Sequence, residues 1–422
     1  MRTAATLLML LLAAAPPPKS ARHQLRDLQA KALAAAKSGD QQSRIAADVD
    51  LQRLLNHSPS VLEALARAYA AAGDTQRALA ALNQFAALGL SDDDLLSGAD
   101  HRLSALEPLP EYKQILDRLR GNQAPVSLGT PFLTLPDPGL LTEDIDYDPT
   151  TGTFLITSVL EHKIVRASPA GSPTDFAVSP DNWPMLAIKI DAQRHRVWAT
   201  EVALDGFTAA PKSDWGRSAV LCYDLATGKV LRRTEGPPHS ALGDMVLTPG
   251  GDPIVSDGEG GGLYRLAGDS LRPINITDFI SPQTPVMLAG DRILVPDYVR
   301  GLALYNLRAN QVSWLNADGA FPAALSGVDG VYLHNQQLLL TQNGTAPERI
   351  ILVALDPSLT RIIGTKIIEQ ATPGRGDPTH GVVVGEEFYY IANSGWSQLD
   401  DHGDVKPGAH LTPSHILRYS LK

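Results

Sequence analysis

The sequence has only one cysteine and, beyond its first 20 residues, no apolar run long enough for a membrane helix. A disulfide within the chain is therefore excluded, and a membrane-spanning helix after residue 20 is not expected. Cys222 stands in the apolar run AVLCYDL, where a small buried side chain is expected rather than a reactive thiol.

Positive charge is also scarce, because 36 lysine and arginine residues face 46 aspartate and glutamate residues and give a formal net charge of −10. This balance argues against nucleic acid and acidic membrane surfaces as partners. The sequence also lacks a Gly-x-Ser-x-Gly motif, the paired histidines of zincins, a P-loop and a CxxC motif. The enzyme classes that depend on these motifs therefore have no support.

The first residues predict export. Met1-Arg2-Thr3 is followed by AATLLMLLLAAA, an apolar run that is too short for a membrane span and typical of a secretory signal. We predict a signal peptide over residues 1–21, cleaved at a site between about Ala13 and Ala21. The protein should then be periplasmic or secreted. The alternative is an uncleaved amphipathic start.

Residues 22–120 are rich in Ala, Leu, Arg and Gln and predict a helical domain. The segment VLEALARAYAAAGDTQRALAALNQFAALGL resembles a tetratricopeptide repeat, whose spacing is met by Leu62, Leu65, Ala66, Tyr69, Gly73, Ala78 and Leu82. It departs from that repeat at Phe85, where a small residue is usual. The resemblance implies a domain that docks a protein partner, and a domain that only packs on the rest of the protein is the alternative. Residues 121–130 predict a linker.

From residue 131 to residue 422 the chain repeats one plan six times. The first copy, EDIDYDPTTGTFLITS, begins at residue 143, and related segments begin at residues 186, 243, 283, 329 and 380. Each copy indicates two short strands around a turn, and the spacing of 40 to 57 residues leaves room for two more strands. This period predicts the four-stranded blades of a propeller. The predicted fold class is therefore mainly β, a six-bladed β-propeller over residues 131–422 preceded by a small helical, tetratricopeptide-like domain.

The two ends of the repeated region predict how the ring closes. PFLTL, residues 131–135, is a lone strand before the first blade, and SHILRYSLK supplies only a third strand for the sixth. We predict that PFLTL pairs with residues 416–420, because closure removes the exposed strand edges that would otherwise aggregate.

The starts and ends of the six units should surround one mouth of the central channel, since the first strand of each blade lines the channel and the second returns to the same rim. The starts are Glu143, Leu186, Gly243 with Asp244, Gln283, Asp329 and His380, and the ends are Ser158, Glu201, Asp257, Asp297, Asn343 and Asn393. Six of these thirteen residues are carboxylates, and none is a lysine or an arginine. For Asp257 and Asp297, turn chemistry at a strand end is the competing interpretation.

Converging carboxylates repel one another, and this repulsion can be relieved in three ways. A cation can bind between them, one acid can keep its proton through a raised pKa, or the side chains can point apart. Two long loops on the same rim, residues 203–218 and 394–413, could form a lid over the mouth.

Glu143 at the start of the first unit, a polar residue at the start of the fourth and Asp329-Gly330 at the start of the fifth resemble the gluconolactonase family, also called senescence marker protein. The resemblance implies a divalent cation held by a Glu, Asn residues and an Asp, and the same Asp as the base in lactone hydrolysis. On this chain it implies Glu143 and Asp329 as ligands and Asp329 as the catalytic residue. Gly243 and Gln283 depart from the pattern, since asparagine is expected there.

We therefore predict a divalent cation in the mouth, held by Glu143 and Asp329 with help from Asp244, Gln283 or His380. Carboxylate and amide oxygens are hard ligands that favour Ca²⁺ or Mg²⁺, and Ca²⁺ is the expected cation, whereas direct ligation by His380 would move the preference toward Zn²⁺ or Mn²⁺. The predicted function is hydrolysis of a small-molecule lactone or ester. The alternative is a non-catalytic propeller that binds a ligand or protein, with the helical domain as the site for a protein partner.

Overall fold

The computed structural model describes residues 20–274, 278–315 and 322–422. The predicted signal peptide over residues 1–21 lies outside the described residues except at its last two positions. In the described part of the chain, no helix combines the length and apolar character needed to cross a membrane. The predicted fold class is confirmed, because a helical region precedes a ring of six β-sheets.

The helical region contains six α-helices and one 3-10 helix within the described residues. The α-helices are α1 (Ala21–Ser38), α2 (Gln41–Leu54), α3 (Pro59–Ala71), α4 (Thr75–Ala87), α5 (Asp93–Ser97) and α6 (Pro110–Asn122), and the 3-10 helix is His101–Leu106.

A recurring Gly-Asp pair separates successive helices. Gly39 ends α1 with a φ of 74°, which favours glycine, and Asp40 then caps α2 by accepting from the Ser43 N–H at 3.0 Å. Asp74 caps α4 in the same way through the Arg77 N–H at 3.0 Å. The pair therefore joins α1 to α2 and α3 to α4 through short turns. The tetratricopeptide resemblance itself stays a prediction.

Each sheet of the ring is one blade. Blade 1 holds β3 (Thr142–Asp148), β4 (Thr153–Ser158), β5 (Lys163–Ser168) and β6 (Gly171–Val178), and blade 2 holds β7 (Met185–Asp191), β8 (Arg196–Ala203), β9 (Arg217–Asp224) and β10 (Val230–Glu235). Blade 3 holds β11 (Leu242–Leu247), β12 (Pro253–Asp257), β13 (Gly262–Ala267) and β14 (Ser270–Ile274), and blade 4 holds β15 (Val286–Met287), β16 (Arg292–Asp297), β17 (Gly301–Asn306) and β18 (Gln311–Trp314).

The last two blades each include a strand from the segment between the helical domain and the ring. Blade 5 holds β19 (Val328–His334), β20 (Gln337–Gln342), β21 (Arg349–Leu355), β22 (Ile362–Gln370) and the short β1 (Val126–Ser127). Blade 6 holds β23 (Gly381–Val384), β24 (Glu387–Ile391), β25 (Ser414–Ser420) and β2 (Thr130–Leu135). The segment predicted as a linker, residues 121–130, thus contains β1.

The predicted ring closure is confirmed. Strand β2 pairs antiparallel with β25, with Leu133 opposite Ile416 and Leu135 opposite Ser414. The paired segment of β25 is residues 414–418 rather than the predicted 416–420. The N-terminal strand β2 is thereby the outermost, fourth strand of blade 6, which the C-terminal part of the chain lacks.

Apolar faces between neighbouring blades form the core of the ring. Leu155 of blade 1 packs with Ile188 and Ala199 of blade 2, and all three are fully buried. Cys222 lies buried beside Trp198 between blades 2 and 3, where burial raises the pKa of its thiol. The prediction of a buried cysteine is confirmed. Sheet-on-sheet burial of this kind is the main source of stability for a propeller.

The helical domain packs on the rim of blades 4 and 5. Ile280 and Ala324 of the propeller belong to the same buried apolar cluster as the helices. The buried Arg349 donates to the carbonyls of Leu88 and Gly89 at the end of α4, at 3.3 and 3.2 Å. These carbonyls carry the negative end of the helix dipole, so one arginine joins the two domains. Burial lowers the pKa of Arg349 to about 10.

Candidate metal centre at the channel mouth

The mouth is the rim at which the inner strands β3, β7, β11, β15, β19 and β23 begin. There, Glu143, Asp329 and His380 bring one potential ligand atom each to within 4.8 Å of one another, the only such group among the described residues. They come from blades 1, 5 and 6. Residues more than 50 positions apart therefore meet because the ring places their strand starts side by side.

Bulges at the strand starts direct two of these side chains. The pairing of β3 with β4 shifts register between Thr142 and Ile145, and that of β19 with β20 shifts between Val328 and Gly330. At each bulge, a threonine hydroxyl of the second strand accepts a hydrogen bond from the backbone N–H that the bulge leaves unpaired. Thr157 Oγ1 accepts from the Asp144 N–H at 2.9 Å. Thr341 Oγ1 does the same for Gly330 at 2.7 Å. Bulges re-aim side chains in this way at many functional sites.

The Glu143 carboxylate is half-buried beneath the long loop of blade 6. Its Oε2 accepts from the indole N–H of Trp396 at 2.5 Å. Burial, together with the nearby charge of Asp329, raises the pKa of Glu143 to about 8. Near neutral pH this carboxyl therefore holds a proton unless a positive charge is supplied.

The Asp329 carboxylate is buried on the opposite side of the group. Its Oδ2 accepts from Asn343 Nδ2 at 2.8 Å, and Asn343 Oδ1 in turn accepts from the Tyr298 hydroxyl at 3.0 Å. Burial raises the pKa of Asp329 to about 7, against the opposing effect of the His380 charge. Two carboxylate charges less than about 5 Å apart repel by about 3 kcal/mol in an effective dielectric of 20.

The hydrogen bonds of His380 define its protonation state. Nδ1 lies 2.9 Å from the Glu143 carbonyl oxygen, which can only accept, so Nδ1 carries a proton. Nε2 lies 2.7 Å from Asp244 Oδ1 and 2.9 Å from Thr284 Oγ1. The Thr284 hydroxyl gives its hydrogen to Asp244 at 2.6 Å, so both oxygen atoms near Nε2 act as acceptors. Nε2 must therefore carry a proton and donate it. The ring is therefore an imidazolium.

The charges around His380 agree with this assignment. Burial alone would lower the pKa of the imidazole, but Asp144, Asp329 and Asp244 hold it well above its usual range. His380 thus supplies positive charge to the site, and its two ring nitrogens already contact the Glu143 carbonyl, Asp244 and Thr284. The atoms left to bind a cation are carboxylate oxygens of Glu143 and Asp329.

A second charged layer lies below the mouth, and the sequence analysis missed it. Lys189 Nζ donates to Asp144 Oδ2 at 2.6 Å, and the same oxygen accepts from the Ile188 N–H at 2.9 Å. Burial by itself would lower the pKa of Lys189, but Asp144 and Asp146 raise it. Burial raises the pKa of Asp146 to about 6. A lysine inside the apolar run LAIKID could have indicated this buried ion pair. The sequence analysis counted only the starts and ends of the six units, and Lys189 is not among those thirteen residues.

Two predicted ligands are not brought into the group. The Gln283 side chain donates to Ser281 Oγ at 3.0 Å, and the next residue, Thr284, extends into the channel. Asp244 is buried but bonded to His380 and Thr284, so it orients the imidazolium. Their role as metal ligands stays a prediction, whereas Glu143 and Asp329 are placed together as the sequence analysis expected.

The other two strand-end aspartates follow the turn interpretation. Asp297 accepts from four backbone N–H groups, those of Ile280, Ser281, Val299 and Arg300, at 2.6 to 3.2 Å. Asp257 accepts from the backbone of Ala241 and Gly260 at 3.0 and 2.7 Å. Both carboxylates accept backbone N–H groups that close turns.

The two long loops meet over the mouth beside blade 1. The Phe207 and Trp396 rings pack with centroids 5.9 Å apart, and the Thr208 N–H donates to the His402 carbonyl at 2.9 Å. The helical domain lies on the same rim at blades 4 and 5. The mouth is thus covered from two sides, by this pair of loops and by the helices.

No family model and no curated protein matches the chain. Solved structures resemble it weakly. The PQQ-bound aldose sugar dehydrogenase from Streptomyces coelicolor is 15% identical, with a TM-score of 0.46, and the match covers 70% of this chain and 100% of that one. A luciferin-regenerating enzyme is 16% identical, with a TM-score of 0.46 over 70% of this chain and 95% of that one. A streptogramin B lyase is 11% identical, with a TM-score of 0.46 over 70% and 99%. None of these likenesses carries an argument about function.

Proposed function

We propose that the mouth binds a divalent cation through Glu143 and Asp329, and that the protein is a metal-dependent hydrolase of a lactone or related ester. The observation that carries the proposal is the meeting of these two carboxylates, within 4.8 Å, on rigid strands of separate blades. Burial gives both of them raised pKa values. A bound cation would remove their repulsion and replace the proton they otherwise retain.

The donor set suits calcium. The hydrogen bonds to Trp396 and Asn343 use Glu143 Oε2 and Asp329 Oδ2, which leaves Oε1 and Oδ1 for a cation. Carboxylate oxygens are hard ligands, which Ca²⁺ and Mg²⁺ prefer, and Ca²⁺ tolerates irregular coordination better than Mg²⁺ does. Both ring nitrogens of His380 are already hydrogen-bonded to other groups, so the set offers oxygen ligands ahead of the nitrogen ligand that would favour Zn²⁺.

The residues of the mouth can move the proton that hydrolysis requires. A cation in this position supplies Lewis-acid polarisation of a carbonyl oxygen. The Asp329 carboxylate, which would be ionised beside a bound cation, is the general base. As water adds to the carbonyl carbon, its proton passes to the Asp329 carboxylate. The same proton then leaves on the alkoxide oxygen when the ester bond breaks.

The resemblance of Glu143 and Asp329 to the gluconolactonase pattern supports the same assignment, and we propose that family as the setting of the activity. The basic and apolar start of the chain supports export to the periplasm or beyond. A small-molecule substrate would enter the mouth between the paired loops and the helical domain. Under the alternative function, a binding scaffold, the helical domain docks a protein partner.

A hydrolysis assay with matched variants tests the proposal. Protein treated with EDTA and then given Ca²⁺ should hydrolyse members of a panel of γ- and δ-lactones and aryl esters. Asp329→Asn should abolish turnover, whereas activity of Glu143→Gln should recover at higher Ca²⁺. Asp401→Asn, at an exposed acid of the blade 6 loop, is the control. Calcium binding without turnover of any panel member would favour the binding scaffold, and an active Asp329→Asn would exclude Asp329 as the base.

A further inference from the structure

Two residues outside the ligand group support Asp329 through a series of hydrogen bonds. Asn343 directly follows β20 in blade 5, and its Nδ2 donates to Asp329 Oδ2 at 2.8 Å. Tyr298 directly follows β16 in blade 4, and its hydroxyl donates to Asn343 Oδ1 at 3.0 Å. The support for Asp329 therefore crosses a blade boundary. We call Tyr298 and Asn343 the supporting pair.

The chemistry of the two ends sets the direction of both hydrogen bonds. Burial, and then the negative charges of Asp329, Glu348 and Asp377, raise the pKa of the Tyr298 hydroxyl, so it keeps its proton and can donate. An ionised Asp329 carboxylate can only accept. Asn343 must therefore turn its amide oxygen toward Tyr298 and its NH₂ group toward Asp329. The reverse orientation would set the amide oxygen against the carboxylate.

Tyr298 is held in place from several sides. Its N–H donates to the Ser281 carbonyl at 2.8 Å, and its own carbonyl accepts from the Gly327 N–H at 2.7 Å. The ring lies so close to Gly344 that a Cβ at that position would stand 2.5 Å from Tyr298 Cζ. Because Gly344 directly follows Asn343, the absence of a side chain there lets the hydroxyl reach the amide.

The supporting pair determines which oxygen of Asp329 faces Glu143. Rotation of the carboxylate about its Cβ–Cγ bond would break the hydrogen bond between Oδ2 and Asn343. Oδ1 is the oxygen left for a cation between Asp329 and Glu143. Removing a partner that orients a metal-binding side chain typically lowers metal affinity or activity by about 10- to 100-fold.

We propose that Tyr298 and Asn343 are positioning residues of the cation site, which hold Asp329 with Oδ1 toward the cation. Tyr298 acts through Asn343, and Asn343 acts through Asp329. The inference rests on the proposed cation site, but it does not rest on the turnover of any substrate.

Calcium titration calorimetry of the full protein with matched tyrosine variants tests the proposal. The protein is treated with EDTA, dialysed and titrated with CaCl₂. Tyr298→Phe removes only the hydroxyl and should weaken Ca²⁺ binding about tenfold. Tyr305→Phe is the control, because Tyr305 of blade 4 also donates to an asparagine, Asn310 Oδ1 at 2.7 Å, but at the opposite rim. The control should bind Ca²⁺ as the wild type does.

A double-variant cycle shows whether Tyr298 acts through Asn343. Asn343→Ala should weaken Ca²⁺ binding by about tenfold or more. In that background Tyr298→Phe should cause no further loss, because the hydroxyl no longer has the amide on which it acts. Losses that multiply would overturn the proposal, as would wild-type affinity in Tyr298→Phe or an equal loss in Tyr305→Phe. If Asn343→Ala fails to fold, the two tyrosine variants decide.

Hydrolysis separates this proposal from the proposed function. At saturating Ca²⁺, Tyr298→Phe should lower kcat about tenfold and leave KM unchanged, because the hydroxyl acts on Asp329 and not on the substrate. A raised KM with unchanged kcat would make Tyr298 a substrate contact and overturn the proposal. Calcium binding without turnover would contradict the hydrolase alone, and the calorimetric comparison would still decide. A wild type that binds no Ca²⁺ would overturn both the cation site and this inference.

Discussion

Asp297 and Asp329 stand on the same rim of neighbouring blades, yet their surroundings are opposite. Asp297 accepts from four backbone N–H groups that close a turn. Asp329 accepts from one side chain, Asn343, and faces Glu143. The comparison shows that the position in the repeat places a carboxylate at the mouth, whereas its hydrogen bonds decide whether it builds the turn or remains available to a ligand.

The largest expected effect is a loss of folding stability when Asp297, the aspartate that closes a turn, is replaced. Asp297→Ala leaves four backbone N–H groups without their acceptor and should lower the free energy of unfolding by about 4 kcal/mol. Asp329→Asn removes repulsion with Glu143 and should leave the free energy of unfolding unchanged or raise it in the presence of EDTA. Urea unfolding of both variants measures the difference. Equal losses would remove the distinction between the two aspartates.

Glu63 in the helical domain is a third buried acid with a raised pKa. The second expected effect is a dependence of folding stability on pH that comes from this residue. Its pKa is about 8 in the folded state against a usual 4.5, so the folded protein binds more protons between these values. Stability from this group is present below pH 4.5 and is lost as the pH rises through 8. Glu63→Gln should therefore gain about 4 kcal/mol relative to the wild type between pH 5 and pH 9. Parallel pH profiles of urea unfolding would contradict this.

The smallest expected effect concerns the loop that covers Glu143. Trp396→Phe keeps an aromatic ring against Phe207 but loses the hydrogen bond to Glu143, at a cost of about 1 kcal/mol or less. If Glu143 binds calcium, the indole of Trp396 should report it. Tryptophan fluorescence should change on Ca²⁺ addition in the wild type and not in Trp396→Phe. A retained calcium response in the variant would place the change elsewhere.

The fold was predictable because each repeat carries a local sequence pattern of strands and turns. Turns such as Pro149-Thr150-Thr151-Gly152 stand between short β-rich runs at a regular period, and ring geometry then brings the strand starts together. The closure by β2 followed from counting strands. Glu143 and Asp329 could be placed at the mouth by the same reasoning.

The rest of the site depends on contacts between blades, which the repeat does not encode. Lys189 neutralises Asp144 across the boundary of blades 1 and 2. Thr284, and not Gln283, reaches Asp244 and His380 in the channel. The threonines at the bulges were visible as a recurring residue of the second strand, in Thr157, Thr200 and Thr341, but their bonds to unpaired N–H groups were not.

Metal analysis after dialysis tests the central claim most directly, using the wild type and a Glu143→Gln/Asp329→Asn double variant. The account predicts about one divalent cation, calcium first, per wild-type chain, and a lower melting temperature after EDTA, because a ligand held only by the folded state stabilises it. The double variant should retain no cation and show no response to EDTA. Fewer than about 0.1 cations per wild-type chain and an unchanged melting temperature with EDTA would contradict the account.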